Sequence, residues 1–334
     1  MDSDMPLKFS IIVPVYNRRD EVAELLESLE NQTDKGFEII VVEDGSPVTC
    51  GDICFNSKAD VKYFYKSNEG RSIARNYGME RADGDFFVFV DSDCILPPDY
   101  IKNLRESLAK NPTDCFGGPD EAHESFTPLQ KAINFSMTSF LTTGGIRGGK
   151  RSMEKFTPRT FNMGFAREVY YGVGGFREMF SEDIDMSTRI KYANYDISLF
   201  RDVKVFHKRR VSFKKFWKQV HVFGMSRITL QLLYPGSMKA VHWLPSIFTT
   251  GSLAMIAGSF AMPWLLTPLA LYIALLWGTA TLKTKSFKIG TLAVPASIIQ
   301  LTGYGTGFLR AYFWKIILGN GRDIEDEIAR RKGV

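Results

Sequence analysis

Asp91 and Asp93 directly follow an apolar segment, residues 86–90, in a pattern that suggests metal or phosphate chemistry. Such a segment is typical of a strand that is buried on both faces. Ligands of open α/β sheets bind just beyond the carboxyl ends of the strands, so both carboxylates are predicted to lie at a binding site. Two adjacent anions repel each other, and Mg²⁺ or Mn²⁺ held together with substrate phosphates relieves that repulsion. The alternative is a solvated turn, because Asp and Ser favour turns.

A second group of acids, Glu182, Asp183 and Asp185, precedes a predicted helix over residues 186–192. Acids at this position complement the positive end of a helix dipole. A carboxylate can also take the proton of an attacking hydroxyl that lies within hydrogen-bond reach. His207 follows a short apolar segment, and a lone histidine of this kind is usually structural or at the surface.

Alternating segments of strand and helix character must position these groups. Strands are predicted over residues 9–15, 37–42, 61–65 and 86–90, and helices over about 20–31, 72–81 and 96–110, with Asp20 as a possible cap. This alternation predicts an α/β fold with a mostly parallel sheet and helices on both faces. The loops at residues 16–17, 43–46 and 91–93 then meet at the carboxyl ends of strands, where nucleotides bind.

The usual phosphate-binding loops are missing from this arrangement. The sequence has no G-x-x-x-x-G-K-[ST], and no G-x-G-x-x-G follows the first strand, which excludes common classes of kinase, ATPase and dinucleotide enzyme. Phosphates would instead be neutralised by a divalent ion, by Arg71 and Arg75, and by the helix that begins near Ser72. Asp44 can accept hydrogen bonds from a base or ribose, or it can form an Asx turn.

Four motifs occur in the order and spacing of the family 2 glycosyltransferases, which have the GT-A fold and use nucleotide sugars. They are Ser-Ile-Ile-Val-Pro-Val-Tyr-Asn (10–17), Val-Glu-Asp-Gly-Ser (42–46), Asn-Glu-Gly-Arg-Ser-Ile-Ala-Arg-Asn (68–76) and Asp-Ser-Asp (91–93). The sequence resembles this family over about residues 8–215. It departs from the family at Glu43, where a second Asp is usual.

The resemblance implies a role for each matching residue. The nucleotide would be held by Pro14, Val15, Tyr16, Asn17, Asp44, Arg71, Arg75 and Asp91, and the metal by Asp91, Asp93 and His207. Gly-Gly-Phe at 174–176 followed by a Glu-Asp pair implies Asp183 as the general base, supported by Glu182 and Asp185. Contacts to the acceptor or donor sugar are predicted at Gly117, Gly118, Asn162 and Gly175.

One base opposite the leaving group predicts inversion at the transferred sugar. Residues 219–223 stand near the place where processive polysaccharide synthases carry Gln-x-x-Arg-Trp, but the Arg-Trp pair is absent, so transfer of a single sugar is predicted. A processive synthase and a non-catalytic membrane protein with a decayed transferase domain are the alternatives. Residues 142–150 are predicted to form either a lid or a plain disordered connection.

The second half of the chain indicates a membrane. Aromatic and apolar residues recur at helical spacing beside lysines from residue 213, which favours an interfacial amphipathic helix over a soluble core helix. Residues 243–282 carry no charge and predict two spans hinged at Met262-Pro263. Flanking bases place both ends in the cytoplasm. Residues 289–309 are predicted either to span the membrane or to form a re-entrant or interfacial segment.

Length and composition fit this organisation. The 334 residues are 45% hydrophobic and carry a net charge of +5, concentrated over residues 204–218, which favours anionic lipid over nucleic acid as partner. All four cysteines are predicted to be reduced thiols, and residues 1–8 show no signal-peptide core. Predicted domains are a GT-A domain (1–235; nucleotide part 8–95, acceptor part 96–212, interfacial helix 213–235), a membrane region (236–318) and a charged tail (319–334), with residues 323–331 helical.

These inferences combine into one functional prediction. The chain is expected to be a multi-pass protein of the inner or plasma membrane with its catalytic domain in the cytoplasm. It would transfer a sugar from a UDP- or GDP-sugar to a lipid-linked or membrane-proximal acceptor in cell-surface glycan or glycolipid synthesis, with Mg²⁺ or Mn²⁺.

Overall fold

A computed structural model describes residues 7–145 and 156–321 of the chain. Its contacts divide these residues into two compact units. Unit 1 comprises residues 7–123 and 156–208, and unit 2 comprises residues 124–145 and 209–321. The predicted helix at 323–331 and residues 146–150 of the predicted loop lie outside the described residues.

Strands and helices are numbered along the whole chain. The strands, all in unit 1, are β1 (Phe9–Val15), β2 (Phe37–Asp44), β3 (Val61–Lys66), β4 (Phe86–Phe89), β5 (Cys94–Ile95), β6 (Cys115–Gly117), β7 (Asp120–Glu121), β8 (Met163–Ala166), β9 (Ile197–Leu199) and β10 (Val205–His207). The helices of unit 1 are α1 (Arg19–Glu30), α2 (Gly51–Phe55), α3 (Arg71–Met79), α4 (Tyr100–Lys110), α7 (Arg167–Val173) and α8 (Glu182–Tyr192). Those of unit 2 are α5 (Pro128–Thr138), α6 (Phe140–Thr143), α9 (Phe213–Leu233), α10 (Leu244–Gly258), α11 (Thr267–Thr284) and α12 (Phe287–Ala311).

The main sheet of unit 1 has the strand order β3-β2-β1-β4-β8-β6-β9. Its first four strands run parallel, β8 runs antiparallel between β4 and β6, and β9 is parallel to β6. A second sheet has the order β5-β10-β7. The mostly parallel α/β fold predicted from the sequence is therefore confirmed.

The core lies on both faces of this sheet. Ile11 and Val13 of β1 pack on the side of α1 and α4, where Leu25 and Leu104 contribute. Ile12 points to the opposite side and joins the cluster that contains Met186 of α8. Because side chains alternate along a strand, a strand covered on both faces must be apolar at every position, which explains the continuous apolar segments.

Some element boundaries differ from their predictions. Asp20 is not a cap, because α1 already begins at Arg19 and Asp20 lies in its first turn. The three acids of the second group do not precede a helix but form the first turn of α8. Their negative charges stabilise the positive end of the helix, so α8 extends back to Glu182. Ser181, at φ 63°, marks the turn before it.

Unit 2 is built around α12, whose buried side packs against α5, α9, α10 and α11. Ala293 contacts the cluster of α5 and α11, Ala296 the cluster of α5 and α9, and Phe308 packs with Ile228 of α9. Helix α9, predicted to be interfacial, thus packs with α12. Residues 124–145, predicted to belong to the acceptor part, also lie in unit 2. The functional boundary near residue 235 stays a prediction.

Two segments of unit 2, Ala240–Gly258 and Pro263–Thr284, are long and apolar enough to cross a membrane. Few of their residues are buried: 17% of the most apolar 18 residues in the first segment and 11% in the second. The first includes a 3₁₀ turn, Ala240–Trp243, and the second begins with another, Pro263–Leu266. Length and composition give weak support for membrane association.

Candidate active site

Asp44, at the end of β2, is almost fully buried and fixes the loop that follows β3. One carboxylate oxygen, Oδ1, accepts hydrogen bonds from Glu69 N at 3.0 Å and from Lys66 Nζ at 3.0 Å. The other, Oδ2, accepts from Gly70 N at 2.9 Å. These bonds hold residues 68–70 against the carboxyl end of the sheet, at the edge predicted to bind a nucleoside.

A cavity of about 390 Å³ opens beside this loop. Its size is within the range of small-molecule sites. Tyr16 and Phe180, which are 53% and 56% exposed, line this cavity, where a planar base can stack. The lining residues are Pro14, Val15, Tyr16, Asp44, Asn68, Gly70, Arg71, Glu178, Met179 and Phe180. The structure thus brings together five residues that the sequence assigned to the nucleotide.

Asn17 is not among the lining residues. Its backbone adopts φ 52°, and its N–H donates to Ser46 Oγ at 2.7 Å. That hydroxyl in turn donates to Glu43, which also accepts from Cys50 N at 2.8 Å. Glu43 is fully buried. The residue at which the sequence departs from the family pattern therefore organises the turn after β2.

Arg75 cross-links the two acidic motifs from inside the protein. Its guanidinium donates to Asp91 Oδ1 at 2.7 Å and to Glu182 Oε1 at 3.0 Å, and only 1% of the residue is exposed. Arg71, whose side chain is half exposed, donates to Glu182 Oε2 at 2.7 Å. Burial, the largest effect, raises the pKa of Glu182, and both guanidinium groups act in the opposite direction. Of the two arginines, Arg71 is the one that lines the cavity.

Asp93 and His207, two of the three residues predicted to bind the metal, lie side by side. His207 Nε2 lies 3.2 Å from Asp93 Oδ1. The antiparallel pairing of β10 with β5 sets His207 opposite Cys94, and the donor atoms of all three residues lie within 4.8 Å of one another. Carboxylate oxygen and imidazole nitrogen fit an ion such as Mn²⁺. Asp91 lies outside this cluster and is engaged by Arg75.

Asp183 lies in the first turn of α8 and keeps part of its carboxylate accessible. Its Oδ1 accepts from Ile184 N at 2.8 Å, and its Oδ2 lies 3.7 Å from Arg159 Nη1. Two residues after Arg159, the ring of Phe161 packs 4.8 Å from that of His207. Asp183 and His207, which is the partner of Asp93, therefore contact the same short segment, residues 159–161.

Asp185, predicted to support the base, is fully buried on α8. Its carboxylate accepts from Arg177 at 3.3 Å and from Arg189 at 3.0 Å. The ion pair with Arg177 attaches α8 to the loop before it, and the pair with Arg189 lies within α8. Its predicted role is thus indirect.

The four residues predicted to contact sugar are explained in the structure by close packing. Asn162 accepts from Tyr100 OH at 2.7 Å and donates to Val203 O at 2.7 Å. A Cβ on Gly118 would lie 1.7 Å from Val203 O. Those on Gly117 and Gly175 would meet Phe156 at 2.8 Å and Asn76 at 2.6 Å. Their contacts to sugar stay predictions.

Sequence reasoning missed Glu178 and Arg159. The Glu178 carboxylate accepts from Ser72 N at 3.3 Å, so an acid occupies the start of α3, where phosphate was predicted to bind. Glu178 lies only two residues after the Gly-Gly-Phe motif, and Arg159 lies just before the segment that contains Asn162. Neither residue belongs to a sequence motif. Only their positions next to motifs could have indicated that they lie at the site.

Residues 10–173 match the sequence model described as glycosyl transferase family 2. A Rickettsia felis protein described as an uncharacterized glycosyltransferase is 41% identical over 106 residues, which are 31% of this chain and 18% of the relative. The glycosyltransferase GlyA of Streptococcus pneumoniae is 38% identical over 114 residues, 33% of this chain and 16% of the relative. The chain thus spans less than a fifth of the length of these relatives.

Among solved structures, the mannosyltransferase PcManGT from Pyrobaculum calidifontis, in complex with GDP-Man and Mn²⁺, is similar in fold. Its TM-score is 0.61 at 16% identity, covering 90% of this chain and 88% of that one. Residues 10–173 therefore match a glycosyltransferase family 2 domain, and the fold of the described residues is GT-A-like. These matches support the predicted enzyme class, a glycosyltransferase.

Proposed function

We propose that the protein transfers a single sugar, with inversion, from a nucleotide sugar to a lipid-linked or membrane-proximal acceptor on the cytosolic face of a membrane, in the synthesis of a cell-surface glycan or glycolipid. The observation that carries this proposal is the placement of Asp183 and of the Asp93–His207 pair against one segment, residues 159–161. A proton acceptor and a metal-ligand pair at one site are the groups that sugar transfer requires.

The nucleotide occupies the cavity in this proposal. Tyr16 and Phe180 stack on the base, and the exposed part of Arg71 reaches the diphosphate. Glu178 moves aside, because its carboxylate lies where the phosphates bind. Arg75 stays buried and positions Asp91 for the ribose.

Asp93 and His207 would hold the divalent ion, with Mg²⁺ or Mn²⁺ as the candidates. When bound, such an ion neutralises the charge of the leaving diphosphate. A half-filled ligand set of one carboxylate and one imidazole leaves coordination positions for phosphate oxygens.

Asp183 acts on the acceptor. Its carboxylate takes the hydroxyl proton as the acceptor oxygen bonds to the anomeric carbon, while the bond from that carbon to the diphosphate oxygen breaks. Attack from the face opposite the leaving group inverts the anomeric configuration. Arg159, 3.7 Å from Asp183 Oδ2, orients this carboxylate.

The membrane part of the proposal rests on the apolar helices α10 and α11 and on the bases beside them. Together they indicate an acceptor presented at a lipid surface. The multi-pass arrangement stays a prediction.

A donor screen tests the proposal. Full-length protein in detergent receives a panel of UDP- and GDP-sugars, GDP-mannose included, with Mn²⁺, a polyprenyl phosphate acceptor and a diacylglycerol acceptor. Release of nucleoside diphosphate matched by a single-sugar product of inverted anomeric configuration supports it. A ladder of products would indicate a processive synthase, and retention of configuration would refute the role of Asp183. A chain that neither transfers nor hydrolyses any donor would be a decayed transferase domain.

A further inference from the structure

Helices α10 and α11 form an antiparallel hairpin in unit 2. Where α10 ends, a Cβ built on Gly258 would lie 2.7 Å from Leu265 Cδ1, so the chain turns back at once. Further from the turn, the rings of Phe248 and Tyr272 lie 5.5 Å apart. The tip of the hairpin comprises residues 259–266.

The tip is apolar and exposed. Phe260 is 92% exposed, and Met262, Trp264 and Leu266 are exposed as well. The tip contains no charged residue and one hydroxyl, Ser259, which donates to Ile256 O within its own turn. A hairpin that crossed a bilayer twice would place its tip in water on the far side, where loops carry polar residues. This tip instead suits hydrocarbon.

The two ends of the hairpin have the opposite character. Lys239 lies before it, and Lys283, Lys285 and Lys288 lie after it, all exposed. Lysines at both ends, with no lysine or arginine between residues 240 and 282, are the pattern expected when both ends lie in the same headgroup layer.

Helix α12, which follows the hairpin, packs along α9. It runs parallel to α9, because Phe216 of α9 clusters with Ala296 and Ile228 of α9 clusters with Phe308 and Ala311. A Cβ on Gly307 would lie 2.0 Å from His221 O, so the two backbones touch. If α12 crossed the bilayer, α9 would cross beside it and carry bases into the hydrocarbon, at a cost of about 3 kcal/mol or more for each charge.

The bases of α9 are spread along the helix. They are Lys214, Lys215, Lys218 and Arg227. A stretch from residue 214 to residue 227 rises about 20 Å, which is most of the hydrocarbon thickness of about 30 Å. No position of α9 across a membrane keeps all of them at the surfaces.

We propose that unit 2 is monotopic: α12 and α9 lie on one face of the membrane, and the α10–α11 hairpin dips into that leaflet and returns, with its tip in the hydrocarbon. The partner of the exposed tip is thus the acyl region of one leaflet. The inference rests on the proposed membrane association and not on the transfer reaction. It replaces two spans with one re-entrant hairpin and leaves the end of α12 on the side from which the hairpin enters.

Cysteine labelling tests the proposal in the full chain. All four native cysteines are buried, so the unaltered chain is the unlabelled background. Ala261→Cys places a thiol at the exposed tip, and Lys283→Cys, the matched control, places one at the exposed base. Each variant is bound to vesicles of phosphatidylethanolamine and phosphatidylglycerol, isolated by flotation, and treated with a membrane-impermeant maleimide, with and without a pore-forming peptide that admits the reagent to the lumen.

The expected result is that labelling of Ala261→Cys falls by about tenfold or more on vesicle binding, with the pore open or closed, because a thiol in hydrocarbon does not ionise to the reactive thiolate. Detergent restores it, and Lys283→Cys reacts fully once the pore is open. Labelling of Ala261→Cys when the reagent reaches the opposite compartment would show two spans and overturn the proposal. Labelling as fast as in detergent without a pore would show that the tip stays in water, and it would overturn the proposal as well.

Turnover of a nucleotide sugar by the same vesicle-bound variants separates this inference from the proposed function. A protected tip without turnover supports the hairpin and refutes the enzyme proposal under those conditions. Turnover with a tip that labels from the lumen refutes the hairpin alone.

Discussion

Arg75 and Glu182 form a buried ion pair, with Nη1 donating to Oε1 at 3.0 Å and side-chain exposures of 2% and 3%. The pair joins α3 to α8. It links the motif at residues 68–76 with the acids at 182–185, and the other arm of Arg75 reaches Asp91. The two halves of the candidate site are therefore locked together by one guanidinium.

Removing that guanidinium should mainly lower the free energy of unfolding of the protein. Arg75→Met leaves Glu182 buried with only Arg71 as partner, and the loss of one member of a buried pair costs about 3–5 kcal/mol. Unfolding followed by intrinsic fluorescence in detergent measures the loss. Lys102→Met, an exposed substitution on α4, should change stability little. Equal stability of both variants would show that the pair contributes nothing net.

Asp93→Asn should weaken binding of Mn²⁺ and slow donor turnover by about a thousandfold, since an ion at the diphosphate supplies several kcal/mol of charge stabilisation. His207→Gln should have the same direction of effect. Mn²⁺ electron paramagnetic resonance titration measures binding directly, without reference to activity. The control, Asp60→Asn, alters an exposed aspartate before β3. Unchanged Mn²⁺ affinity in Asp93→Asn would place the metal elsewhere.

Asp183→Asn and Asp185→Asn make a matched pair on one turn of α8. Asp183→Asn should reduce turnover by about 10²–10⁴-fold, the usual contribution of a general base, and leave nucleotide binding intact. Asp185→Asn should instead lower the unfolding midpoint, because the carboxylate of Asp185 is buried between Arg177 and Arg189. Single-turnover rates and melting curves of both variants separate these roles, and the assignment of the base fails if the two patterns are exchanged.

Asn162→Asp should destabilise the fold by about 1–3 kcal/mol. The substitution removes the donor to Val203 O and brings a carboxylate against that carbonyl. Asn103→Asp removes a hydrogen bond to Asp202 O at the surface and should cost less. Donor KM per folded molecule is the second readout. A raised KM with normal stability would favour the sugar contact predicted from the sequence over packing.

Glu38 makes stability depend on pH at the opposite end of β2. Burial alone would raise the pKa of Glu38, but Lys62, the Ser10 hydroxyl and Asp83 N outweigh it and lower the pKa. A carboxyl with a lowered folded-state pKa stabilises above its unfolded value of about 4.3, and the effect is lost as the pH falls through the folded value.

Glu38→Gln should therefore cost about 1.5–3 kcal/mol at pH 7 and progressively less below about pH 4. Unfolding midpoints of the native chain and the variant across pH 3–8 check this convergence. Glu106→Gln, on the exposed side of α4, should run parallel to the native chain throughout. A difference in unfolding midpoint between the native chain and Glu38→Gln that does not change with pH would contradict the lowered pKa of Glu38.

The long apolar segments were predictable because burial on both faces leaves a continuous signal. The sequence placed β1 correctly at both ends and β2 and β3 within a few residues. Strands of two to four residues, such as β5 and β10, are too short for any periodicity, so the pairing that sets His207 opposite Cys94 was visible only in three dimensions.

The site was predicted as a set of residues but not as a set of contacts. The sequence predicted that Arg75 binds the nucleotide, whereas in the structure it binds Glu182. The two residues are 107 positions apart, so no local sequence pattern could indicate this contact. Asn162 and Gly118 show the same limit. Small and amide residues near a motif suit both ligand binding and tight packing, and only the geometry around Val203 distinguishes between them.

The antiparallel insertion of β8 between β4 and β6 sets the order in which the main sheet can be completed during synthesis. Phe86 and Phe89 of β4 pair with Ala166 and Met163, so one flank of this apolar strand stays bare until the ribosome has made a further 70 or so residues. Nascent chains that contain only β1 to β4 expose β4 as an unpaired edge strand. Such an edge can pair with neighbouring chains. The main sheet of unit 1 is therefore complete only after the four residues of β8, Met163–Ala166, have been synthesised.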